Sequence, residues 1–115
     1  MPTLANNTTD ANNDIDFSAG FCYDNSTLSK IISVAKTKQL DASWAYGTNA
    51  GGLDTGTKAI NTWYHCFAIS KADGTSDFLF SLSATTPTMP SGFVNKRRVG
   101  SIKTNSSGNI IPVLS

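Results

Sequence analysis

The chain has 115 residues and a formal net charge of +1, enough for one domain whose core needs neither a disulfide nor a metal to form. Charged residues make up only 15%, whereas Ser and Thr number fourteen each by count, Asn ten and Gly 9. These hydroxyls and amides compete with helical backbone for hydrogen bonds and favour sheet surfaces and turns, so the composition predicts an all-β fold. The near-neutral charge offers no field to steer the chain toward nucleic acid or a membrane surface, and no apolar run approaches the roughly 18 residues of a spanning helix.

Residues 1–13 are polar, Asn-rich and aperiodic, and are expected to form a flexible arm ahead of a single β domain over 14–115. Met1 to Asn7 has neither the basic nor the apolar region of a secretory signal. Ile15-Asp16-Phe17 and Phe21-Cys22-Tyr23 read as short strands, and Asp24 to Thr27 as a turn. From Leu28 to Leu40 the apolar spacing permits a helix, but Ile31-Ile32-Ser33-Val34 is β-branched and sits among β segments, so strands are expected. Asp41 to Lys58, with its scattered glycines, reads as one long loop, and loops of that length inside a compact domain are usually functional or packed on their own side chains.

Asn61 to Ser70 and Ser76 to Ser83 are rich in aromatic and β-preferring residues, and the Asp73-Gly74 between them supplies the backbone reversal of a hairpin. Ala84 to Gly92 is extended by Pro87 and Pro90. Val94 to Thr104 predicts a strand, Asn105 to Gly108 a tight turn, and Asn109 to Leu114 a last strand that Pro112 confines to an edge. About seven short strands with regular turns predict a small antiparallel β-sandwich or jelly-roll-like domain.

Few residues suggest chemistry. Asp54-Thr55-Gly56 matches the catalytic triplet of aspartic proteases, which need two carboxylates sharing a proton and hence, from one copy, a homodimer. The commoner role is a glycine turn, and Thr57-Lys58 is not the continuation a protease shows. His65 is the single histidine, and with Cys22 and Cys66 it falls short of a metal ligand set. A Cys66–His65 nucleophile pair is disfavoured because neighbouring strand residues point to opposite faces. Lys96-Arg97-Arg98 is the one basic run, suited to guarding a sheet edge or to a subunit contact rather than to nucleic acid. No cofactor is expected. Trp44 and Tyr46, with Asn49 and Asp54 on the same loop, are candidates for a glycan- or partner-binding loop, since aromatic faces stack on sugar rings. Packing within the core or between subunits remains the other role open to the two aromatics.

Three runs carry a resemblance: Leu40 to Trp44 with Ala50 to Gly56; Asn61 to His65; and Asp77 to Ser81 through Ala84–Gly92 to Arg97–Ile102. In order and spacing, from about Asp14 to Ile110, they resemble a segment of tail-fibre and related appendage proteins of tailed bacteriophages and prophages. The resemblance implies a β-structured, oligomeric and non-enzymatic virion component on the particle exterior, as tail, fibre or capsid decoration. It brings no catalytic residues. The expected partners are its own copies, most simply a homotrimer that buries apolar surface by symmetry, other virion proteins, and host-surface glycan. Arg97, Arg98, Ile110, Ile111, Val113 and Leu114 are the expected subunit contacts.

Overall fold

The computed structural model describes residues 1–113 and contains strands and turns only. Nine strands follow in order: β1 (Leu4–Asn6), β2 (Asp14–Phe17), β3 (Gly20–Tyr23), β4 (Lys30–Ser33), β5 (Lys36–Ser43), β6 (Ala50–Leu53), β7 (Trp63–Lys71), β8 (Ser76–Ser81) and β9 (Phe93–Lys103). Seven form one curled sheet in the order β1-β2-β5-β6-β8-β7-β9, and β3 pairs with β4 as a separate two-stranded sheet. The expected all-β domain is what the structure shows.

Alternation writes the two faces of the sheet. On β7, Tyr64, Cys66 and Ala68 face the main core, where they meet Ile15 and Phe17 of β2, Leu40 of β5 and Phe78 and Phe80 of β8. Phe17 stacks on Phe78 with ring centroids 4.2 Å apart and planes 8° from parallel. Cys22 and Ile31, from the inner face of β3–β4, close this core from above. Phe67 and Ile69 of β7 and Leu79 of β8 point the other way, into a second cluster with Phe93 that half-buried Trp44 and Met89 cover. The centre of the sheet is therefore buried on both faces, which explains the apolar density of β7 and β8. Cys22 and Cys66 both lie in the main core as free thiols.

Three expectations need correction. The polar arm over 1–13 contains a strand: β1 pairs antiparallel with β2 and buries Leu4, with Pro2 also buried. Apolar residues so sparse in a polar stretch gave no periodicity to read. The long loop over 41–58 is interrupted by β6, which runs parallel to both β5 and β8. Its Ala-Gly-Gly-Leu sequence lacks β-formers for a packing reason: a Cβ on Gly51 would stand 2.0 Å from the Ser43 carbonyl oxygen, and one on Gly52 would stand 2.8 Å from the Phe80 ring. The expected last strand is reduced to a single bridge, Thr104 to Ile110, because Ile110 turns into the main core and Pro112 interrupts pairing.

The turn of the β3–β4 hairpin is fastened to β9 by the Asp24 side chain and by the Asn25 amide, which donates to the Lys96 carbonyl at 3.2 Å. Asp24 Oδ2 accepts hydrogen bonds from the amides of Ser26 (2.8 Å) and Thr27 (2.7 Å), while Oδ1 accepts one from the Lys96 amide on β9 (2.7 Å). Burial would raise the Asp24 pKa, but these hydrogen bonds outweigh it and lower it to about 2.

Candidate functional site

The segment between β5 and β6 is organised around a buried lysine. Lys38, two residues before the core residue Leu40, is fully buried, and so is Asp77 of β8. Their side chains pair at 3.2 Å. Lys38 Nζ also donates to the carbonyls of Ala45 (2.7 Å) and Gly47 (2.9 Å), so all three ammonium donors have acceptors. Asp77 in turn accepts hydrogen bonds from the Gly47 amide (2.9 Å) and the Phe78 amide (2.7 Å). Burial pushes the Lys38 ammonium below its ordinary pKa, and Asp77 opposes that shift. Among the described residues this is the only ion pair. It pins residues 45–47 to the sheet.

What this fastening presents is aromatic. Trp44 donates its indole N–H to the Phe78 carbonyl at 3.0 Å and meets Phe93 edge-on, with centroids 5.4 Å apart. Tyr46, by contrast, is 58% exposed. Trp44, Tyr46, Lys71, Thr75, Ser91 and Phe93 line an open cleft of about 400 Å³, a size common among small-ligand sites. Three segments build it: the β5–β6 connection, the β7–β8 turn and the start of β9. At that turn Gly74 takes a φ of 95°, the Lys71 amide donates to Thr75 O at 2.8 Å, and the Thr75 amide donates to Asp73 Oδ1 at 2.9 Å. Asp73 is held below the ordinary carboxylate range, chiefly by its hydrogen bonds with Thr75. Gly92 takes a φ of 85°, and the Lys71 stem lies alongside it.

Of the four loop residues singled out from sequence, the structure brings Trp44 and Tyr46 together on this cleft, and Trp44 is also part of the second core cluster. Asn49 and Asp54 do not line it. Asn49 adopts a left-handed φ of 60° and donates its amide to the Thr37 carbonyl, a scaffolding position. Asp54 Oδ2 accepts the Thr88 amide at 2.8 Å and so tethers the Pro-containing loop to the end of β6, the work of a turn residue. Lys71, Thr75, Ser91 and Phe93 escaped the sequence reading because they belong to separate segments that only the fold assembles. The legible signal was a lone acid, Asp77, at the head of the apolar run Phe78-Leu79-Phe80: a buried acid calls for a cation, and a cation for neighbouring carbonyls.

The expected subunit contacts are scattered. Arg97 and Arg98 line a small polar cleft with Asn25, Ala84 and Thr85. Ile110 is 4% exposed within the chain and offers no contact surface. Ile111 and Val113 line an apolar groove with Trp63, Ile102 and Pro112, which continues past Val113 to Pro2, Leu4 and Val99. Leu114 lies outside the described residues. A second apolar surface is the outer face of β3–β4, where Phe21, Tyr23 and Ile32 are all exposed.

His65 is half-buried, with Nδ1 2.8 Å from Ser101 Oγ. Burial first and the Arg98 charge second lower its pKa. Cys66 lies on the opposite face of β7, in the main core, where burial pushes its thiol far above the ordinary value. Among the described residues no three His, Cys or Asp side chains gather as a metal site. A scan against protein-family models and searches of curated proteins and of solved structures returned no match to this chain.

Proposed function

We propose that this domain is a non-enzymatic part of a bacteriophage virion, of tail-fibre, appendage or decoration type, and that it contributes to attachment at the host surface through the Trp44–Tyr46–Phe93 cleft. The resemblance over residues 14–110 supports the virion assignment. The observation that carries the attachment reading is the buried Lys38–Asp77 pair, which holds residues 45–47 so that Tyr46 stays open to solvent beside the cleft. An aromatic ring that is exposed yet fixed by a rigid scaffold loses little conformational entropy on binding, a property of recognition surfaces.

The same reading takes the domain to be a homotrimer on the particle, with the groove at Trp63, Ile111 and Val113 covered by neighbouring copies or by another virion protein. Light scattering on a sizing column should then give three times the chain mass of 12.2 kDa. Attachment is tested by competition: host cells pre-incubated with the domain should adsorb phage more slowly, and Tyr46→Ala should remove that inhibition while leaving the circular dichroism unchanged. Full inhibition by the Tyr46→Ala variant would count against the cleft.

A further inference from the structure

Resting on the attachment reading, we propose that the cleft takes an acidic oligosaccharide of uronic- or sialic-acid type, with the exposed Tyr46 as the ring platform and Lys36 and Lys71 as the carboxylate partners. Both lysines lie against aromatic rings of the site. Lys36 Nζ lies 4.5 Å from the Tyr46 ring centroid and Lys71 Nζ 5.4 Å from the Phe93 centroid. Neither ammonium is within ion-pairing distance of a carboxylate, because the only ion pair among the described residues is Lys38–Asp77. That pair neutralises itself beneath the cleft. The one opposing charge on the rim is Asp73, whose Oδ1 accepts the Thr75 amide. Two unpaired cations therefore face one carboxylate, over a lining that also supplies the Thr75 and Ser91 hydroxyls.

A neutral sugar would stack on Tyr46 and leave both ammonium groups to water. A sugar carrying a carboxylate adds a charge-assisted hydrogen bond to the same stacking. A nucleic acid would demand a longer basic track than two lysines on a chain of net charge +1.

The test uses biolayer interferometry with the whole chain against immobilised polygalacturonate, alginate and colominic acid. Dextran, fully methyl-esterified polygalacturonate and oligo(dT) serve as comparison surfaces. Binding is expected on at least one acidic polymer and is expected to fall as salt rises. Lys36→Gln and Lys71→Gln should each weaken it about tenfold, the loss of one charge-assisted contact. The Arg97→Gln/Arg98→Gln pair should leave it unchanged. Equal binding to dextran or to the methyl ester would overturn the acidic assignment while leaving attachment standing. Binding to oligo(dT) alone, or loss in the arginine pair instead of the lysine variants, would overturn the assignment to this cleft. No binding to any surface would overturn the acidic-oligosaccharide assignment, whereas the attachment reading stands or falls on the adsorption competition with Tyr46→Ala.

Discussion

Replacing Lys38 by Met keeps the buried methylene stem and removes only the ammonium. The Asp77 carboxylate then stays buried with two amide donors and no cation, and the Ala45 and Gly47 carbonyls lose their donor. Breaking a buried pair from one side costs about 3–5 kcal/mol, a large part of the roughly 5–15 kcal/mol a domain of this size has. Asp77→Asn, which leaves the ammonium on two carbonyls, should cost a similar amount. The double variant removes both charges together, so its loss should fall short of the sum of the singles by about 2–3 kcal/mol. Urea unfolding followed by tryptophan fluorescence and circular dichroism measures all three, and Trp44, whose ring centroid is 5.3 Å from Lys38 Nζ, reports on the site directly. Single variants that each lose less than about 1 kcal/mol, or losses that add to within about 0.5 kcal/mol, would refute the view that this pair fastens the loop.

Three further outcomes follow from the fold. The Asp24 carboxyl has a folded pKa of about 2 against its ordinary value of 3.8, so its contribution of about 2 kcal/mol is present above the unfolded value and is lost as pH falls from about 4 toward 2; urea midpoints across that range should drop for the native chain and drop less for Asp24→Asn. Gly51→Ala would place a Cβ 2.0 Å from the Ser43 carbonyl oxygen and should cost at least about 3 kcal/mol by overpacking; a thermal midpoint within a degree of the parent would show that β5 and β6 do not meet this closely. Ser33 Oγ is buried without a hydrogen-bond partner, so Ser33→Ala should leave stability unchanged or raise it by about 1 kcal/mol, and a loss of that size would reveal a partner for the hydroxyl.

The strands legible in the sequence were those with local signals. β7 and β8 announce themselves by aromatic density around Asp73-Gly74, and β9 by a long β-preferring run closed by the turn at Asn105–Gly108. What was not legible depends on distant neighbours. β1 has Leu4 as its one buried residue and exists because β2 offers it an edge. β6 is glycine-rich because Ser43 and Phe80 leave no room for side chains, so the residues that read as a loop are a requirement of the packing. The site divides in the same way. Trp44 and Tyr46 could be read as a recognition loop from their types, but Phe93 is some fifty residues downstream, and the Lys38–Asp77 pair joins residues 39 positions apart. Asp54 shows the opposite effect. Its triplet suggests chemistry by type, whereas its hydrogen bond to Thr88 gives it a local structural task.

Immunogold electron microscopy of phage particles from the encoding host, with antibody raised against the domain, tests the central claim most directly. Label clustered on the tail, its fibres or the capsid exterior is the predicted result. Particles that carry no label, while the antibody detects the domain in the same lysate apart from them, would contradict the virion assignment.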